Sequence, residues 1–288
     1  MTPHYEEFAP RLALAPHVHC TWLFDGEEDG VEQAVPPDGR CELIAHGSRP
    51  YDERGDDGAW HAQPPLLFAG QLTRPLVLRS RGAVAVIGIR FTPAGAWAFV
   101  GAPLADCTDR RIDLGALHSA PAAASLRTQL VRVGDEQERI AIVSRYVAAR
   151  IAISKGRRDR AVERCVARLL ASEGRVTLAA LSALAGVGER QLQRRFAEVV
   201  GISPRMLGVV VRLRRVFDAL RDEPWSSWSE RAQAAGFFDH PQMARDFRRL
   251  LGTAPSQWSR SGPGLAASLA ETGARPVAKL QAGTAPRP

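Results

Sequence analysis

The chain has 288 residues, 45% hydrophobic and 24% charged, with a formal net charge of +7. This is the balance of folded, water-facing domains; with no run of about eighteen apolar residues, no membrane-spanning helix is expected. The charge is uneven: residues 1–156 hold 16 Lys+Arg against 19 Asp+Glu, and residues 157–260 hold 19 against 11, so a nearly neutral half precedes a basic one suited to a polyanion.

Met1 to Pro10 carries Glu6 and Glu7 and lacks a basic start followed by an apolar core, so no secretory signal is read and a cytoplasmic location is expected. Cys20, Cys41, Cys107 and Cys165 are widely spaced with no C-x-x-C pair, which fits free thiols in a reducing compartment. No structural metal is expected from them.

His17–Phe24 (HVHCTWLF), Arg40–His46 (RCELIAH) and Leu76–Phe91 (LVLRSRGAVAVIGIRF) are rich in Val, Ile and aromatics. They are separated by Gly, Pro and Asp clusters, a pattern that predicts antiparallel hairpins forming a small barrel or sandwich. A short helix is expected near Gly95–Gly101. From about Pro121 the pattern turns helical, and Ile140, Val143, Val147 and Ile151 form one stripe in Glu138–Ser154. The stripe either packs on its own domain or makes a homodimer contact. Ser154–Arg160 (SKGRRDR) is a candidate hinge.

The basic half repeats itself at an offset of 51 residues. Gln191, Leu192, Arg194, Phe196, Gly201 and Pro204 align with Gln242, Met243, Arg245, Phe247, Gly252 and Pro255. Each copy is a small-residue helix, a glycine-containing turn and a second helix, which is a helix-turn-helix. Ser227 and Glu230 have the spacing of a capping box. Leu192, Phe196 and Val199 occupy one face of the first unit's second helix, as do Met243, Phe247 and Leu250 in the second unit. Arg194 and Arg245 lie two residues past the first anchor, about 200° around, and so point outward. Arg190 and Gln193 flank that face in the first unit; His240 and Gln242 lie near its start in the second. Arg pairs with guanine and Gln with adenine through two hydrogen bonds each, so these side chains are candidate base readers. Arg195, Arg248 and Arg249 are candidate phosphate contacts. Arg205–Leu220 lacks proline and is expected to form one connecting helix.

On these residues, the region from about Asp159 to Trp258 resembles the DNA-binding domain of the AraC/XylS family of bacterial transcription regulators. Both turns, the GISP and GTAP closures and GFFDHPQMARDFRR (Gly236–Arg249) carry the resemblance. The family's base-reading positions fall on Arg190, Gln193 and Arg194 in the first reading helix and on His240, Gln242 and Arg245 in the second. Gly188 and Phe238 stand where the family often has a capping Ser, with Asp239 expected to cap the second reading helix instead, and Arg231 replaces a usually apolar residue. The N-terminal segments LAPHVHCTWLFDG, PPDGRCELIAH, FAGQLTRPLVL and GIRFTPAGAWAFVGAPL are similar to the β-rich sensing domain of one branch of the family, which implies a cupin-like pocket.

The expected fold is therefore α+β: an antiparallel, cupin-like β barrel or sandwich followed by an all-α double helix-turn-helix domain. The expected division is a sensing domain at 1–120, a helical linker and dimerisation segment at 121–156, the reader at 157–259 and a disordered tail at 260–288. Duplex DNA at a promoter or operator is the expected partner, with a small-molecule effector, RNA polymerase and a second copy of the chain as further candidates. No cofactor and no enzymatic activity are expected. Two enzyme alternatives remain: a metal-binding cupin using His17, His19 and Glu27 or Glu28, and a repair-type regulator transferring alkyl groups to cysteine. No aromatic strand motif for RNA appears in the basic half.

Overall fold

The computed structural model describes residues 4–222 and 227–252. The expected tail at 260–288 and the second closure, with Pro255 and Trp258, lie outside the described residues.

The first half is built from ten antiparallel strands: β1 (His4–Phe8), β2 (Val18–Asp29), β3 (Gln33–Val35), β4 (Glu42–His46), β5 (Asp52–Arg54), β6 (Trp60–Ala62), β7 (Leu66–Ala69), β8 (Leu76–Arg79), β9 (Arg81–Phe91) and β10 (Arg111–Asp113). They form a six-stranded sheet in the order β1-β2-β9-β4-β7-β10 and a four-stranded sheet in the order β3-β8-β5-β6. Neither sheet closes on itself, since β1, β10, β3 and β6 are all edges. That corrects the barrel alternative. The reason sits at Ser80: the segment Leu76–Phe91 crosses there from one sheet to the other, β8 pairing with β3 and β5 while β9 pairs with β2 and β4.

Alternation along β2 divides the apolar side chains between two cores. Cys20, Trp22 and Phe24 join Val35, Tyr51, Leu78, Val84 and Val86 in one cluster. Leu23 points the other way, into the main core with Phe68, Ile87, Ile89 and Phe91. That core continues under α1 (Ala96–Val100), α2 (Leu114–Leu117), α3 (Ala120–Arg132) and α4 (Glu136–Ile153). In α4, Val143, Val147 and Ile151 are buried and Ile140 packs on the core, so the stripe is covered by its own chain.

The second half contains α5 (Arg160–Ala171), α6 (Leu178–Ala185), α7 (Glu189–Val200), α8 (Pro204–Asp222), α9 (Trp228–Ala234) and α10 (His240–Leu251). Its apolar residues belong to the same continuous core as the sheet and α1–α4. The Ser154–Arg160 segment is tied on both sides. Arg157 stacks 3.9 Å over the Trp97 ring and bonds Glu198 at 3.1 Å, while Asp159 caps α5.

Among the described residues, several contacts join the halves beside α7 and α10. The Thr108 hydroxyl donates to the Gly201 carbonyl at 2.7 Å, at the C-terminus of α7. Gly39 faces Leu207 and Val210 of α8. The loop between β7 and β8 reaches both units: Gln71 lies beside Gly201, and Pro75 lies beside Gly252 at the end of α10.

Candidate nucleic-acid interface and ligand cavity

Helices α7 and α10 span Glu189–Val200 and His240–Leu251, so their bounds coincide at the 51-residue offset. Leu192, Phe196 and Val199 are buried on α7, as are Met243, Phe247 and Leu250 on α10. Each helix ends on a glycine in the left-handed region, Gly201 at φ 89° and Gly252 at φ 68°. A left-handed residue turns the last carbonyls back onto amides, and glycine reaches it without a Cβ clash. Phe237 is buried and anchors the second turn, and the Phe217 and Phe247 rings meet edge-on at 5.7 Å.

The N-termini differ. Gly188 begins α7 with no side-chain cap. Its counterpart 51 residues on is Asp239, whose carboxylate accepts from the Gln242 N–H at 2.6 Å. The second unit is thus capped by Asp239, as expected from the sequence, in place of a Ser. The Gln242 side-chain carbonyl accepts in turn from the Phe238 N–H at 3.0 Å. In α9 the Ser227–Glu230 capping box forms in both directions, at 2.6 and 3.2 Å. Arg231 is 6% exposed, with its guanidinium 5.0 Å from the Trp228 ring centroid, so its length is folded into an otherwise apolar contact.

On the outer face of α7, Arg190, Gln193 and Arg194 are all exposed. On α10, Arg245, Arg248 and Arg249 are exposed, while His240 and Gln242 are half-buried. Arg195 is placed differently: its guanidinium holds the Asp159 carboxylate through two bonds, at 2.5 and 2.7 Å, and is half-buried. That pair ties α7 to the N-terminus of α5. The pairing was not readable in the sequence because Asp159 lies 36 residues upstream.

Between the two sheets lies a small cavity of about 70 Å³. Trp22, Val35, Leu72 and Leu78 give it apolar walls, and Arg40, Glu42, His46 and Arg90 add polar ones. Arg90 is 1% exposed and held by Glu42 at 2.8 Å and Glu7 at 2.9 Å. Such a buried cation stands only because carboxylates surround it. Burial, with Arg90 and Arg214 nearby, lowers Arg40 to about 10, and its Nη1 is buried without a hydrogen bond. Burial also lowers His46 to about 4, which keeps its ring neutral.

Among the described residues, Glu7, His19 and Cys20 form a group whose potential ligand atoms lie within 4.8 Å of one another; His17, Glu27 and Glu28 do not belong to it. His17 instead bonds the Gly95 carbonyl at 3.3 Å, and Glu28 accepts from Tyr51 at 3.0 Å. His19 is lowered to about 3 by burial and by the charges of Arg40, Arg90 and Arg214. A metal ion there would face three guanidinium groups. All four cysteines are free and buried, and burial raises every one of their thiols, Cys20 to about 12. An alkyl-accepting thiolate needs the opposite environment. Among the described residues, no helix is long and apolar enough to cross a membrane.

A helix-turn-helix domain model matches residues 181–261, and a domain of unknown function (DUF6597) matches residues 6–113. No curated protein matches the chain. Among solved structures, ToxT from Vibrio cholerae is similar at 12% identity, covering 83% of this chain and 97% of that one, with a TM-score of 0.45. Unsaturated fatty acid-bound ToxT from Vibrio cholerae strain SCE256 is similar at 10% identity over 82% and 93% of the two chains, with a TM-score of 0.44. The AraC-like transcriptional activator CuxR is similar at 17% identity over 69% and 76%, with a TM-score of 0.27.

Proposed function

From an AraC-type helix-turn-helix region joined to an open β-sheet domain, we propose a sequence-specific DNA-binding transcription regulator that places two reading helices in adjacent major grooves. The observation that carries this reading is the matched pair α7 and α10, each with a buried apolar face and exposed arginines opposite. Arg190, Gln193 and Arg194 read base edges from α7, and His240, Gln242 and Arg245 do so from α10. Arg248 and Arg249 hold phosphates; Arg195 serves the backbone only by exchanging Asp159 for a phosphate. The 19 residues of α8 span about 28 Å, within reach of the roughly 34 Å between successive grooves on one face of DNA. With two heads on one chain, a dimer is unnecessary for reading two grooves.

The inter-sheet cavity is the proposed seat of a small effector. Asp38 and Arg40 line it, and Gly39 between them packs on α8. Gly70 and Leu72 line it too, and the same loop touches both reading helices through Gln71 and Pro75. A molecule in the cavity thus presses on segments that hold the reader. Fatty acid-bound ToxT offers a precedent for small-molecule occupancy in a protein of similar architecture.

Selecting genomic duplex fragments with the purified chain, then footprinting them, tests the reading. Two protected segments about one helical turn apart are expected. Scattered protection, or equal retention of single-stranded probes, refutes it.

A further inference from the structure

We propose that Phe238 is a base-contacting residue, its ring packing against thymine methyl groups in the major groove under α10. This rests on the two-groove reading above and specifies what the second head recognises.

Phe238 is 93% exposed, the most exposed of the large apolar side chains among the described residues. Its counterpart at the 51-residue offset is Val187, which is half-buried against the core. The same place in the repeat therefore has opposite fates. Local packing would ordinarily cover it, because an apolar residue just before a helix cap tends to pack on the fourth helical residue. Here that residue is Met243, 0% exposed and fully used by the core. Among the described residues, no packing contact of this unit covers the Phe238 ring.

The backbone beneath the ring is nonetheless fixed. The Phe238 N–H is held by Gln242 at 3.0 Å, and Asp239 caps the helix at 2.6 Å. The ring is thus carried at the N-terminal mouth of α10, the part of a reading helix that meets base edges.

The hydrogen-bonding inventory of the two heads points the same way. Where α7 has Arg190 and Gln193, the 51-residue offset gives α10 Pro241 and Ala244. Neither can donate to a base, so at these two matched places the second head offers no hydrogen bond, while His240, Gln242 and Arg245 supply its polar contacts elsewhere. The apolar feature that the major groove offers is the thymine C5-methyl. A ring this exposed, beside Pro241, suits that feature.

The test uses the full chain and a duplex selected from a random library. Each thymine under the second head is replaced in turn by deoxyuridine, which removes only the methyl group. One or two such replacements should weaken wild-type binding about fourfold, the equivalent of ~0.8 kcal/mol for one buried methyl. Phe238→Ala should bind the thymine duplex more weakly and be indifferent to the replacement. Full tolerance of deoxyuridine by wild type, an undiminished penalty in Phe238→Ala, or no thymine selected under that head would each overturn the proposal while leaving the two-groove reading in place. If no duplex is enriched at all, the two-groove reading falls and takes this one with it. Phe238 is exposed, so an unchanged melting curve should verify that the variant is folded.

Discussion

Gly201 and Gly186 offer a way to measure how firmly the first half grips the reader. Both are helix C-caps in the left-handed region, at φ 89° and 68°. Alanine at either position meets the same backbone penalty, about 1–2 kcal/mol. Their surroundings differ. A Cβ at Gly186 would meet nothing within 4 Å, whereas one at Gly201 would lie 3.2 Å from the Leu104 carbonyl and from the Thr108 hydroxyl, and 3.3 Å from Gln71. The methyl also crowds the 2.7 Å bond from Thr108 to the Gly201 carbonyl, worth about 1 kcal/mol net. Gly186→Ala should therefore cost about 1–2 kcal/mol and Gly201→Ala about 2–4 kcal/mol. Urea unfolding of both variants at one pH reads the difference directly, and Thr108→Val should reproduce the hydrogen-bond share alone. If the two alanine variants unfold within about 0.5 kcal/mol of each other, the contact between the halves contributes nothing and the argument fails.

Arg194→Ala should lose about 1–3 kcal/mol of binding at one base pair with relaxed specificity there, while Arg249→Ala should weaken all sequences alike and lower the salt slope. Titration against single-base operator variants at two salt concentrations separates the two, and wild-type behaviour of Arg194→Ala would refute its role. His19, His46 and His118 are held neutral by burial, at about 3, 4 and 4. Their folded values lie below the ordinary one of about 6.5, so the unfolded chain binds more protons and stability falls as pH drops from 6.5 towards 4. At pH 5 the loss is about 2 kcal/mol for each, read from urea midpoints; a flat profile from pH 7 to 5 would contradict it. Arg90→Met leaves Glu7 and Glu42 buried without their cation and should cost about 3–5 kcal/mol. A thermal unfolding loss below about 1 kcal/mol would show that the carboxylates had found water.

The reader was legible in the sequence because its signals are local. Anchors at i, i+4 and i+7, a glycine at each helix end and a repeat at constant offset all lie within a few turns of one another. The observed bounds of α7 and α10 keep that offset to the residue. The sheets were legible as strands but not in their closure, which depends on edges far apart in the chain and on the crossing at Ser80. The stripe on α4 was visible, but the partners of that helix, α1, α3 and β9, are set by tertiary packing. Arg195 carried the composition of a phosphate contact, and only the fold brings Asp159 to it. Phe238 was visible only as a departure from a capping Ser, since exposure of a single aromatic has no periodic signature.

The loop between β7 and β8 places Gln71 against the end of α7 and Pro75 against the end of α10, four positions apart on one short segment. The separation of the two reading helices is thus referenced twice, once along α8 and once across this loop. Lengthening α8 by a full turn would satisfy the first reference and violate the second, so the spacing between half-sites cannot drift through α8 alone. On the proposed two-groove reading, a change in operator spacing has to be matched by a change in this loop, which makes a segment of the first half part of the ruler for DNA.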